Sequence, residues 1–181
     1  MSRGITPFLY LGIMVLSTEL CCAQTPVNPI IKDYGTIYQI EKISPQDTSI
    51  AYKIVIDLKA SNDNYTKVNS GLNNVARMLN LHGAAGVSKQ NMAVAVAVHY
   101  TATPIILSNI GYQKKYGVDN PNLELIQQLK EAGVELYVCG QSLVARKYAF
   151  EDVNPDIKIG LSMLTVVTEK MMKGYELLVF D

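Results

Sequence analysis

The chain has 181 residues, of which 49% are hydrophobic, and its 16 basic side chains balance 16 acidic ones for a net charge of zero. That size and composition suit one compact domain with a core of its own. Lys and Arg are scattered singly between apolar segments, which excludes the basic clustering that a phosphate backbone needs to release its counterions, so no nucleic-acid partner is expected.

At the N-terminus, Arg3 precedes an apolar run from Phe8 to Leu16 that is too short to span a bilayer as a helix and reads as a signal peptide. Ser17, Thr18 and Glu19 follow, then Cys21-Cys22-Ala23, which places small residues three before and one before a cut between Ala23 and Gln24. Residues 1–23 are therefore expected to be removed, and the mature chain, 24–181, to act in a periplasm or otherwise outside the cytoplasm. The rival reading is a lipoprotein acylated on Cys21 or Cys22, which Thr18-Glu19-Leu20 matches poorly. Losing Arg3 and Glu19 leaves the net charge at zero, and no later stretch is long and apolar enough to cross a membrane. Cys139 then stands alone and cannot form an internal disulfide. In an oxidising compartment such a thiol is either buried and inert or accessible for exchange with another molecule.

Residues 24–49 are polar and carry Pro26, Pro29 and Pro45, with Ile37, Ile40 and Ile43 among them, as an ordered arm would. From Tyr52 to Leu58 a β-branched, apolar segment predicts a first strand buried on both faces. Val68, Leu72, Val75, Ala76 and Leu79 recur at helical spacing, predicting a helix that ends near His82-Gly83. Met92 to His99 alternates valine with alanine and predicts a crowded central strand with His99 at its carboxyl end.

Asn120 as cap, Pro121 at the first helical position, a stripe of Leu125, Ile126, Leu129 and Ala132, and Gly133 as terminator predict the next helix. Val134 to Val138 is then a third strand, running into Cys139-Gly140-Gln141-Ser142 and a helical stretch to about Tyr148. A short apolar piece around Ile157 to Ile159, a helix from about Ser162 to Lys173, a stop at Gly174 and a strand from Tyr175 to Phe180 complete the chain. Strands alternating with helices imply a mainly parallel sheet covered on both faces, whose ligands bind beyond the carboxyl ends of the strands. His99 and Cys139 are both expected there.

Taken in order, Tyr52-Lys53-Ile54-Val55-Ile56-Asp57, Ala95-Val96-Ala97-Val98-His99, Asn120-Pro121 before a helix, and Ala132-Gly133-Val134-Glu135-Leu136-Tyr137-Val138-Cys139-Gly140-Gln141-Ser142-Leu143 resemble the DsrE/DsrF-like family. The similarity continues through Val153-Asn154-Pro155 and Gly174-Tyr175, so that residues 50–181 form the family-like domain. The resemblance implies a three-layer α/β/α sandwich with a mainly parallel sheet of about five strands. It also implies a homo-oligomer, trimer or hexamer, and a cysteine that carries sulfur as a persulfide for a thiol-bearing protein partner. Cys139 matches that cysteine's position.

Apart from the resemblance, a thiol at the start of a helix faces unpaired backbone N–H groups and the positive end of the helix dipole, which favour thiolate. The competing reading is a core cysteine packing as a small hydrophobe. His99 is a candidate partner for that thiolate or for a proton if the two strands are neighbours, though a His bonded to a loop carbonyl is the plainer alternative. His82 reads as a favourable charge at a helix end. Two histidines and one cysteine at unrelated positions lack zinc-ligand spacing, and no cofactor motif is present: His82-Gly83-Ala84-Ala85-Gly86 follows a helix, whereas nucleotide loops precede one. Asn64-Tyr65-Thr66 matches a glycosylation sequon. Met163, Leu164, Val166, Val167, Met171 and Met172 make the last helix apolar around most of its circumference, as core packing or a subunit contact would require. Two functions remain open: a sulfur-carrier or thiol-exchange protein acting through Cys139, and a non-catalytic oligomeric binding or scaffold protein with an inert cysteine.

Overall fold

A computed structural model describes residue 1, residues 24–61 and residues 64–181. The expected signal peptide and its cleavage site lie outside the described residues.

Five strands form one sheet in the order β6-β5-β4-β3-β7, made of β3 (Tyr52–Leu58), β4 (Met92–Val98), β5 (Glu135–Cys139), β6 (Lys158–Gly160) and β7 (Glu176–Phe180). Every pairing in it is parallel. The helices are α1 (Ser70–Ala84), α2 (Asn109–Tyr116), α3 (Leu123–Glu131), α4 (Gly140–Ala145) and α5 (Met163–Met172). A two-residue antiparallel pair, β1 (Pro26–Val27) with β2 (Ile37–Tyr38), lies in the N-terminal arm.

Strand order and handedness together fix the layers. From β3 the chain steps through β4 and β5 to β6 in one direction, then returns from β6 at one edge to β7 at the other. Right-handed crossovers put the helices of the outward steps on one face and the helix of the return step on the opposite face. The packing follows suit. Ile54, Ile56, Val94, Val96, Val98, Leu136 and Val138 enter the large core with Leu72, Val75 and Leu79 of α1 and Leu125, Ile126 and Leu129 of α3. Val55, Ala95 and Ala97 point the other way and meet Val166 and Val167 of α5 in a much smaller cluster. Three layers result, with one helix covering the second face, and the alanines of β4 leave room for it to approach.

The arm is tied down by one side chain of α1. Asn80, fully buried, accepts hydrogen bonds from the N–H groups of Ile30 and Ile31 at 2.9 and 2.8 Å and donates to the carbonyls of Tyr34 and Gly35. Gly35, at φ +60, abuts the α1 backbone at Ala76 and Arg77, where any Cβ would collide. Ile31 and Ile37 are buried there, while Ile40 and Ile43 are exposed.

One local reading needs revision, and one stretch that carried no reading takes shape. The helix foreseen from Asn120-Pro121 starts two residues later, at Leu123. Asn120 does not cap it: its Oδ1 accepts from the N–H of Asn122, and its Nδ2 donates to the carbonyls of Ile105 and Leu107, so the side chain holds a turn. Secondly, the stretch after His99, without a periodic signal, folds into a 3₁₀ segment, Tyr100–Ile106, and then α2, capped by Ser108 onto Gly111. Among the described residues no helix is long and apolar enough to cross a membrane.

Candidate functional site

Strand alternation decides what meets at the carboxyl end of the sheet. Tyr137 of β5, Ala97 of β4 and Val55 of β3 belong to the α5 face, so Cys139, His99 and Asp57, each two residues further on, lie on that face too. Val98 is in register with Leu58 on one side and Val138 on the other. His99 and Cys139, which follow, are therefore neighbours on adjacent strands.

Adjacency has not joined them. His99 Nε2 donates to Asp57 Oδ1 at 2.5 Å, and among the described residues no hydrogen bond links His99 to Cys139. The backbone N–H of His99 donates to the Leu58 carbonyl. The ring is thus anchored toward β3, on the far side of β4 from the thiol.

Cys139 is 5% exposed and stands where two helices begin. It is the N-cap residue of α4, and it pairs with Gly160, beyond which Ser162 caps α5 through a reciprocal bond pair with Thr165. The two chain segments approach closely: a Cβ on Gly140 would lie 2.9 Å from the Gly160 carbonyl oxygen. Burial pushes the Cys139 thiol up, but hydrogen bonds from the Ser142 hydroxyl, the Met163 N–H, the Ser142 N–H and the Ser162 hydroxyl outweigh it, and the pKa falls below that of a free thiol. In the thiol form Cys139 Sγ–H donates to Ser162 Oγ at 3.9 Å. Ser142 Oγ also accepts from the N–H of Tyr100 at 3.2 Å, leaving the hydroxyl hydrogen for the sulfur. Tyr100 holds a left-handed backbone, φ +51, a conformation that costs a non-glycine residue about 1 kcal/mol. Arg146 stacks over its ring with 5.0 Å from guanidinium to centroid.

Below the thiol on the same face, Glu135 accepts from Lys170 at 2.5 Å, Lys158 at 2.8 Å and the Tyr137 hydroxyl at 2.7 Å. Burial alone would raise its pKa; these donors instead hold it down at about 2. Lys170, buried, also lies 5.0 Å over the Tyr175 ring. This group seals α5 against the sheet.

The remaining sequence candidates lie apart from the thiol. His82 Nδ1 donates to the Met78 carbonyl at 2.8 Å, one turn earlier in α1, and its ring meets Tyr52 edge-on. Asn64 folds its side chain onto the N–H and hydroxyl of Thr66 in an exposed turn. Among the described residues no three His, Cys, Asp or Glu side chains gather as metal ligands. Sequence reasoning did not single out Ser142, Ser162, the Met163 N–H or Asp57 for the site. Ser142 was accessible from spacing, since the third residue of a helix faces its cap. Ser162 and Met163 come from a distant segment, and no local signal announces them.

Fold and site together define a class, the parallel three-layer α/β proteins with a thiol at the junction of an inner strand and a helix. The DsrE/DsrF-like family model matches residues 53–180, and the chain belongs to that family. Among solved structures it resembles a protein of unknown function, MTH1491 from Methanobacterium thermoautotrophicum, at 12% identity and a TM-score of 0.54, over 71% of this chain and 99% of that one. It also resembles the ychN protein from E. coli at 17% identity and a TM-score of 0.52, with the same coverage. At such identities the likeness establishes the fold. A comparison with curated proteins finds no match.

Proposed function

We propose that the protein carries sulfane sulfur, or exchanges thiols, through Cys139. The observation that carries this reading is the set of donors, from the first turns of α4 and α5, that favour the Cys139 thiolate despite burial. Membership of a family linked to sulfur relay supports it. In the loading step the Cys139 thiolate attacks the outer sulfur of a donor persulfide. A new S–S bond forms on Cys139, the donor's S–S bond breaks, and the donor leaves as a thiolate, with no net oxidation. An acceptor thiolate on a partner protein then takes the outer sulfur by the same displacement in reverse. Because the sulfur is nearly closed off, a small persulfide is expected to load it faster than a bulky one.

The test is intact-mass measurement of the folded protein after exposure to glutathione persulfide. The wild type should gain the mass of one sulfur atom and Cys139→Ser none. Loading only after denaturation would reject the reading and favour a second one, a scaffold with an inert core cysteine, whose own support is the 5% exposure of the thiol. We further infer a homo-oligomer formed through α5, since Leu161, Leu164 and Met172 are each at least 70% exposed. Action after export, with a mature start at Gln24, rests on the leader sequence. N-terminal sequencing of protein from the native envelope should read from Gln24; an intact Met1 or a lipidated cysteine would overturn it.

A further inference from the structure

A second feature lies beyond the carboxyl ends of β3 and β4, away from α5. Ser61 and Tyr65 beyond β3, the 3₁₀ segment after β4, the start of α3, helix α2 and the end of α4 line a cleft of about 340 Å³, within the range of small-molecule sites. Four tyrosines line it: Tyr65, Tyr112, Tyr116 and Tyr148. Tyr65 stacks on Tyr116 with centroids 4.1 Å apart, and Tyr112 tilts against Tyr116 at 4.7 Å. The Tyr112 hydroxyl donates to the Tyr65 carbonyl, and the hydroxyls of Tyr116 and Tyr148 meet at 3.0 Å. Two hydroxyls sharing one hydrogen bond leave one hydrogen over for a ligand.

Arg146 stands at the rim, shared with a shallower depression around Tyr100, Gln141 and Ser142. Among the described residues no carboxylate pairs with it and none lines the cleft. Lys115 sits 5.6 Å from the Tyr148 ring, adding positive charge nearby. Burial raises the Tyr112 pKa to about 12, and that of Tyr116 is also raised, so both remain neutral phenols in ordinary buffers and do not repel an anion. Aromatic rings also attract organic cations, but the positive charges of Arg146 and Lys115 beside these rings disfavour one here.

We propose that this cleft binds a small planar aromatic acid, its ring against the tyrosine cluster and its carboxylate on Arg146. None of the residues that hydrogen-bond the Cys139 sulfur lines it, so the site stands or falls independently of sulfur chemistry.

The chain contains no tryptophan, which makes an indole probe directly readable. Fluorescence anisotropy of indole-3-acetate should rise to saturation on titration with the folded protein, whereas indole-3-acetamide, the same shape without the charge, should bind at least about tenfold more weakly, as loss of a charge-assisted bond implies. Arg146→Gln should remove that difference between acid and amide, and Tyr116→Leu should weaken both. The comparison on wild-type protein needs no variant, so a misfolded variant leaves the question answerable. No anisotropy change at millimolar protein, equal binding of acid and amide, or preferential binding of benzyltrimethylammonium would each overturn the proposal.

Discussion

Glu135 joins three donors on the α5 face, and its position makes two consequences measurable. Its folded pKa, about 2, lies below that of the unfolded chain. The stabilisation is therefore complete above the ordinary carboxylate range and is lost as pH falls through about 2. The side chain is 35% exposed, so screening removes much of the shift, and about 1–2 kcal/mol remains. Glu135→Gln should lower the unfolding free energy from urea titration at pH 7 by that amount or somewhat more, since buried Lys170 loses its carboxylate. The gap between variant and wild type should narrow as pH approaches 2. A gap independent of pH would show that the charge contributes nothing. For Cys139, the alkylation rate should rise with pH around a midpoint lower than that of the same cysteine in the unfolded chain. Ser142→Ala removes the first of the donors that lower the pKa and should move that midpoint up; an unmoved midpoint would assign the shift to the backbone N–H groups and the Ser162 hydroxyl.

Helix α4 and strand β6 are held together by the absence of a side chain. A methyl group on Gly140 meets the Gly160 carbonyl at 2.9 Å and the Leu161 carbonyl at 3.4 Å, so Gly140→Ala must push apart the two segments that supply the Cys139 donors. Such overpacking costs about 1–3 kcal/mol. The variant should melt earlier, and its thiol should titrate at higher pH; an earlier melt with unchanged titration would uncouple the junction from the donors. The sequence announced these segments unevenly. The valine-alanine alternation of β4 was readable because a strand buried on both faces can be little else, and α1 because its apolar stripe matches its buried face. Cys139 was readable as a junction residue. The stretch from Tyr100 to Tyr116 was not, because Pro104 and a 3₁₀ segment interrupt any period, and Asn120 spends its side chain on distant carbonyls. The donors from Ser162 and Met163 depend on β6 lying beside β5, a tertiary fact that no window of residues contains.

At the level of the molecule, the two faces of the sheet are unequal. α1 and α3 cover one, whereas α5 alone crosses the other and presents Leu164, Met171 and Met172 to solvent beside the exposed Leu177 and Val179 of β7. That apolar surface is the one the homo-oligomer proposed above would bury. Light scattering at micromolar concentration should find an oligomer, and Leu164→Glu with Met172→Glu should return it to monomer without loss of helical signal. A monomeric wild type would refute the interface.

The strand order has a further bearing on how the chain folds. β3, the first strand of the sheet, gains one of its two neighbours from β7, the last: Ile54 pairs with Glu176 and Leu58 with Phe180. Such pairing closes a loop nearly as long as the domain, and contacts of high sequence separation are slow to form. On a growing chain β3 keeps an open edge until residues 176–180 emerge, so the sheet cannot close before nearly the whole domain has been made, and one side of β3 stays unpaired through all of that time.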